Sequence, residues 1–338
     1  MNRPVASPLE RDLSVAEAIG AVADELRSAE RFLLTTHENP DGDALGSLLA
    51  MQEILSQLGK DSVMYLAAKE FPLPVEYRFL PLEEVFHEPP ADVVDRVHVF
   101  LDCGNIDRTP KGFLRDPEVR TVNIDHHHDN TRFGSLDLVD TGASSTAEIV
   151  FELAKLLGAE LTPEIASALY VGLVTDTGRF SYDNTDETTH RMAAELIEAG
   201  VDVSDTARRL YEHVPIEKVR LVARALGKIE CSEDGRLALT YISADDYAQT
   251  GASELLTEGI IDHVRALEGT AVAALVRDRG QGSGSARKVS LRSSDGEIDV
   301  SAIARSHGGG GHRRAAGFST DLTYEEIVSS LRAELDRS

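Results

Sequence analysis

Tryptophan is absent from this 338-residue chain, and aromatic residues make up only 5% of it. A long stacking platform for single-stranded nucleic acid is therefore poorly supported, because such surfaces are built from aromatic faces. Cysteine is scarce too. Cys103 and Cys231 form no CxxC pair, which argues against a disulfide framework or a structural zinc site and fits a reducing cytoplasm. No apolar run approaches the ~18 residues that span a bilayer. The polar, proline-containing stretch Met1 to Arg11 lacks the apolar core of a signal peptide. The expectation is a cytoplasmic protein with no membrane partner. Basic residues are few, 34 Lys and Arg against 58 Asp and Glu, for a net charge of −24. Nothing global draws such a chain to a polyanion, so any phosphate ligand must be held by a local cationic feature or by bound metal. A hydrophobic content of 42% and a charged content of 27% suit a soluble globular protein long enough for two domains.

What is present is concentrated in two places. His37-Glu38-Asn39-Pro40-Asp41-Gly42-Asp43 follows the apolar run Phe32 to Thr36, and Asp125-His126-His127 follows Thr121 to Ile124. Carboxylates and imidazoles held this close repel one another or are costly to desolvate unless a cation compensates them. Around them the pattern alternates. Helical periodicity covers Ser14–Ala29, Ala44–Leu58, Ser145–Leu157 and Pro163–Thr175, with strand candidates at 32–36, Val63–Leu66, His98–Leu101 and Thr121–Ile124. This predicts an α/β fold whose N-terminal domain, over 14–190, is a parallel sheet covered on both faces. In such sheets ligands bind beyond the carboxyl ends of the strands, where His37, Asp102 and Asp125 all fall. Residues 191–227 read as a helical connector. Residues 228–338 read as a smaller α/β domain with strands at Leu237–Ile242, Ala271–Arg277 and Lys288–Arg292. Helices are expected there at Leu255–Leu267, Val300–His307 and Tyr324–Asp336.

The candidate metal ligands are His37, Asp41, Asp43, Asp102, His126 and Asp176, the last at the end of an apolar helix. A thiolate-free, oxygen-rich set favours Mn²⁺, Mg²⁺ or Co²⁺. Six ligands exceed what one ion needs if it is to keep open positions. Two divalent ions ~3.5–4 Å apart, bridged by one carboxylate, use them better. Each residue also has a bland reading: Asn-Pro-Asp-Gly-Asp is a common turn composition, and Asp43 could simply cap the next helix. Four such accidents along one sheet edge are less probable than one site. Cys103, beside Asp102 and many carboxylates, reads as packing rather than as a nucleophile.

The order His-x-Asn-Pro-Asp-x-Asp, Asp102, Asp-His-His and Thr-Asp-Thr resembles the DHH phosphoesterase superfamily. Gly308-Gly309-Gly310-Gly311-His312 resembles the glycine-rich signature of the DHH-associated C-terminal domain. The size and two-domain plan are similar to the NrnA-type branch of nano-RNases and phosphoadenosine-phosphate phosphatases. The resemblance implies one ion on His37, Asp41 and Asp102, and a second on Asp43, Asp102, His126 and Asp176, with Asp102 bridging and His127 facing the scissile phosphate. His128 departs from the pattern by making a triple histidine; Asp125 sets the register. Implied substrates are short RNA oligonucleotides, 3′-phosphoadenosine 5′-phosphate, and cyclic di-AMP with its linear product pApA, all cut to nucleoside 5′-monophosphates. The resemblance also allows a homodimer.

The phosphate side is expected in the C-terminal domain. Residues 277–314 carry eight Arg and Lys against four acids, and arginine forks match phosphate oxygens. Arg287, Arg292, Arg314 and His312 are the candidates there. Gly309, Gly310 and Gly311 are expected to let backbone amides approach an anion. Arg108 is a candidate from the first domain, and Ser144-Ser145-Thr146 reads as a helix cap. Two other functions compete: a RecJ-like exonuclease on long single-stranded DNA, and a nucleotide sensor that binds without cleaving.

Overall fold

A computed structural model describes residues 13–110, 112–212, 214–280, 284–294, 297–311 and 313–335. The chain forms two compact units that divide between His213 and Val214.

The first unit runs α1 (Val15–Ser28), β1 (Arg31–Thr35), α2 (Gly42–Gln57), β2 (Asp61–Met64), β3 (Val97–Leu101), β4 (Thr121–Asp125), β5 (Leu136–Val139), α3 (Thr146–Leu157), α4 (Pro163–Asp176), α5 (Glu187–Glu198) and α6 (Val203–Tyr211). Its five strands are all parallel, in the order β2-β1-β3-β4-β5. Alternation along β1 explains the layering. Phe32 and Leu34 face the large core beneath the helices, while Leu33 faces a smaller core with Tyr65, Phe100, Cys103 and Leu114. Helices thus cover one face only. The chain between the strands, with short 3₁₀ turns at Ile106–Arg108 and Phe113–Arg115, covers the other. The order reverses at β1, so the crevice between the carboxyl ends of β1 and β3 is the expected ligand position.

Local chemistry sets the helix limits. Ser14 and Glu17 make a reciprocal capping box at α1, Thr162 caps α4 with Pro163 behind it, and Gly158 closes α3 in the left-handed region at φ +73°. α2 is buried on nearly every side. It crosses α4 through glycine: a Cβ on Gly46 would lie 2.3 Å from the Ala168 carbonyl oxygen, and one on Gly172 would lie 2.8 Å from an Asp43 carboxylate oxygen. The backbones approach this closely only because no side chains intervene.

The second unit contains α7 (Ile216–Leu226), β6 (Glu230–Cys231), β7 (Leu237–Ile242), α8 (Ala244–Thr250), α9 (Ile260–Arg265), β8 (Val272–Asp278), β9 (Arg287–Ser293), α10 (Val300–Ser306), β10 (Gly310–Gly311), β11 (Ala315–Thr320) and α11 (Tyr324–Leu335). Its six strands run in the order β10-β11-β9-β8-β7-β6, with only β7 and β8 parallel. α7 belongs here because Arg224 and Lys228 both ion-pair with Asp246, whose side chain is buried on α8. The helical stretch expected to connect the domains is therefore shared, α5 and α6 with the first unit and α7 with the second. The single helix expected over Leu255–Leu267 is broken. Glu254–Thr257 is a 3₁₀ turn, and Gly259, left-handed at φ +80°, starts α9 afresh.

Candidate metal centre

His37, Asp102 and Asp125 each end or follow a strand of the parallel sheet, while Asp43 and Asp176 arrive from the first turn of α2 and the last turn of α4. The close α2–α4 crossing brings the helices' carboxylates to the sheet edge.

Two imidazoles present the same nitrogen to the acids. His37 Nδ1 lies 2.8 Å from the Glu38 carbonyl oxygen, leaving Nε2 3.5 Å from Asp102 Oδ2. His126 Nδ1 faces the Ala143 carbonyl at 3.4 Å, and its Nε2 lies 3.6 Å from Asp176, 3.7 Å from Asp102 and 4.0 Å from Asp43. Anchoring one ring nitrogen on a carbonyl and turning the other inward is how ligating histidines are oriented. Ligand atoms of His37, Asp41 and Asp102 lie within 4.8 Å of one another; so do those of Asp43, His126 and Asp176, and those of Asp102, His126 and His127. Asp102 is common to both sides, with Oδ2 toward His37 and Oδ1 toward His126, His127 and the Thr146 hydroxyl. Its backbone is left-handed at φ +57°, a conformation that costs a non-glycine residue energy and that clusters at functional sites.

The electrostatics call for a cation. Burial, then the charges of Asp102, Asp176 and Asp41, hold the Asp43 carboxyl well above the usual range. Burial, then Asp102 and Asp41, push Asp176 up to about 7 against the pull of His126. Burial also opposes ionisation of Asp102, but His37, His127 and His126 outweigh it and hold its carboxyl low. The Asp102 charge raises both Asp43 and Asp176, so a site with all three ionised needs compensation. An oxygen- and imidazole-rich donor set suits divalent cations.

Several supporting residues were not evident from sequence. Asp43 accepts hydrogen bonds from the amides of Thr146 and Ala147, which open α3. The helix cap weighed for Asp43 belongs instead to Asp41, which accepts from the Asp43 and Ala44 amides; Asp41 has extended backbone just before α2 starts at Gly42, whereas Asp43 is already helical. Ser145 caps α3 as expected, but the next residue, Thr146, reaches Asp102. Asp125 lies under His127, accepting from its Nδ1 at 2.6 Å and from Asn130 Nδ2 at 2.5 Å. Burial alone would lower the His127 pKa, but the Asp125 hydrogen bond and the charges of Asp102 and Asp125 push it up to about 9. Asn184 Nδ2 donates to the Asp176 backbone and carboxylate. Cys103 is a packing residue: burial pushes its thiol up to about 12.

Arg108 is exposed beside the cluster, its Nη2 2.9 Å from His37 Nδ1. In the second unit Arg287 and Arg292 do not converge. Arg287 shares the core-side parity of Val289 and Leu291 and is occupied by Asp278 and the Leu322 carbonyl, whereas Arg292 projects from the opposite face of β9. Gly309 is not free to bind an anion, because its amide donates to the Ala304 carbonyl at 2.8 Å. Gly309 and Gly311 are needed for another reason: a Cβ on either would strike the backbone of β11. Gly310 and Gly311 form the short strand β10, and Arg314 is exposed at the turn after it. His312 lies outside the described residues.

An acid–histidine cluster at the carboxyl edge of a parallel sheet is what a metal-dependent enzyme of the α/β class would present, and comparison with known proteins gives its family. The model described as "DHH family, N-terminal domain" matches residues 31–173, and that of the DHHA1 domain matches 235–337. The chain belongs to the DHH family and is a phosphoric ester hydrolase. It is 34% identical to the bifunctional oligoribonuclease and PAP phosphatase NrnA of Thermus thermophilus, over 95% of this chain and 96% of that one. It is 31% identical to the Bacillus subtilis protein of the same name, over 86% and 89%. The structure of an exopolyphosphatase-related protein from Bacteroides fragilis superposes with a TM-score of 0.86 at 23% identity, covering 95% and 96%. RecJ of Thermus thermophilus superposes with a TM-score of 0.54 at 18% identity, and this chain spans 56% of that one. Among the described residues no helix is long and apolar enough to cross a membrane.

Proposed function

We propose that the cluster holds two divalent cations, manganese foremost, and that the enzyme hydrolyses short oligoribonucleotides, 3′-phosphoadenosine 5′-phosphate, and cyclic di-AMP or pApA to nucleoside 5′-monophosphates. His37, Asp41 and Asp102 would hold one ion, and Asp43, Asp102, His126 and Asp176 the other. The observation that carries this reading is Asp102, whose two carboxylate oxygens face different imidazoles, His37 on one side and His126 on the other. Bound in pairs, such ions supply a water of lowered pKa and a Lewis acid for an in-line displacement at phosphorus. The chain's residues do the rest. His127, held by Asp125 in a form that favours its positive charge, offsets charge developing on the phosphoryl oxygens. Arg108 offers a guanidinium at the exposed side of the cluster. Short oligoribonucleotides and 3′-phosphoadenosine 5′-phosphate are supported by the names of the relatives, and cyclic di-AMP and pApA by the resemblance of the motifs alone. A complete donor set disfavours a sensor that binds without cleaving.

The test is hydrolysis of pApA and 3′-phosphoadenosine 5′-phosphate with Mn²⁺ by the wild-type enzyme and by Asp102→Asn. The variant is expected to fold and to lose at least ~100-fold in turnover. Full turnover by Asp102→Asn in chelated buffer would overturn the two-ion reading. Rates that rise with strand length would favour a RecJ-like exonuclease.

A further inference from the structure

β8 and β9 of the second unit place two cations directly opposite each other. Arg277 pairs in register with Lys288 across the antiparallel ladder. Like charges opposed in this way destabilise a sheet, and a third cation, Arg279, follows just past the end of β8. Among the described residues of the second unit, Arg224, Lys228, Arg265, Arg287 and Arg305 do pair with acids. Among the described residues Arg277, Arg279 and Lys288 form no ion pair. Arg277 is only 8% exposed. It donates to the hydroxyls of Thr257 and Ser290, yet its Nε is buried without a hydrogen-bond partner, as is the phenol of Tyr247. Tyr247 lies within electrostatic reach of Arg277. Lys288 is depressed in pKa by desolvation and by Arg277. Glu254 and Glu258 act on Lys288 through space but pair with none of the three cations.

A buried guanidinium with an unused N–H, an opposed ammonium and an unpartnered phenol are all donors, and acceptors are what they lack. Hydroxyls cannot neutralise two adjacent charges, whereas a phosphate monoester accepts several hydrogen bonds and carries up to two negative charges. We infer that Arg277, Lys288 and Tyr247, with Ser290, form a phosphate site on β8 and β9 that takes the terminal phosphate of a nucleotide. Lys288 lies four residues from Arg292 along the same face of β9, about 13 Å at strand rise, so the two cations can be tested apart. That the phosphate belongs to a nucleotide rests on the function proposed above; the anion site itself rests on the geometry of these strands.

The test is titration of the full-length protein with AMP and with adenosine in buffer containing chelator, followed by calorimetry. AMP is expected to bind measurably more tightly than adenosine. Lys288→Gln, which has no side-chain hydrogen bond to lose among the described residues, is expected to weaken AMP at least about tenfold and leave adenosine unchanged. Arg277→Gln should do the same; if it fails to fold, Lys288→Gln decides the matter. AMP affinity unchanged in Lys288→Gln, or lost only in Arg292→Gln, would overturn the inference. Hydrolysis of bis(p-nitrophenyl) phosphate with Mn²⁺, measured on the same variants, reports on the metal centre and separates failure of this site from failure of the proposed function. Inorganic phosphate that binds as tightly as AMP would keep the anion site and overturn its assignment to a nucleotide.

Discussion

The Asp43 carboxylate accepts the backbone N–H of Thr146 at 2.6 Å, joining the first turn of α2 to the first turn of α3. Its other oxygen takes the Ala147 amide at 2.9 Å. Two amides and the positive end of a helix are thus aimed at an acid that its neighbours make hard to ionise. Each oxygen of a carboxylate keeps a further lone pair, so Asp43 can be fixed by α3 and still ligate. Asp102 is held in the same way by the Thr146 hydroxyl.

The α2–α4 crossing that sets these positions is sensitive to a single methyl group. Gly172→Ala would put a Cβ 2.7 Å from that of Ala147 and 2.8 Å from the Asp43 carboxylate. The expected cost is about 1–3 kcal/mol of stability, seen as a lower denaturation midpoint, together with weaker Mn²⁺ binding by calorimetry. Unchanged metal affinity would show that the crossing does not set the site.

Asp125 is expected to act through His127 rather than through metal. Asp125→Asn keeps the side chain's shape and removes its charge. Turnover should fall about 10–100-fold, while metal affinity changes little. Parallel loss of both in steady-state kinetics and metal titration would instead make Asp125 a ligand.

Metal uptake should release protons. Asp176, at about 7 in the metal-free protein, is half protonated at pH 7, and Asp43 is raised as well. A bound cation requires both as carboxylates, so binding at pH 7 should expel at least about half a proton, and affinity should rise with pH through that value. Calorimetry in buffers of different ionisation enthalpy measures the proton count. A pH-independent affinity between 6 and 8 would contradict this.

The ion-pair cluster that ties α7 to α8 gives a separate pH signature. Burial works against Asp246, but Lys228, Arg224 and Ser243 hold its carboxyl below the ordinary range. A depressed folded-state pKa stabilises the protein above the unfolded value of ~4, and that contribution is lost as pH falls through the folded value. Asp246→Asn should cost about 1–3 kcal/mol near neutrality, with both cations 38% and 40% exposed and able to be solvated. The gap from wild type should stay constant down to about pH 4 and narrow below it, as measured by urea denaturation.

The strand-end residues were legible because each motif follows an apolar run that can only be a buried strand: β1 before His37, β3 before Asp102, β4 before His126. What escaped has physical causes. β5 is four residues long with Asp137 in its middle, at the sheet's edge. β11 is Ala-Ala-Gly-Phe-Ser-Thr, too small-sided to show alternation, and it pairs with a glycine run that read as a loop. Gly259 was hidden inside a helical period. Thr146 reaches Asp102 from 44 residues away, which no local pattern carries, and Asn130 and Asn184 reach Asp125 and Asp176 from loops 5 and 8 residues on, where no periodicity marks them. Arg287 and Arg292 looked equivalent by charge, but strand parity separates them.

The left-handed turn at Asp102 has a consequence for how this activity could be lost. Asparagine or glycine would sit there with less backbone strain, which offsets part of the attraction from His37, His126 and His127 that the aspartate would give up. A non-cleaving descendant of this architecture is therefore one backbone-compatible substitution away.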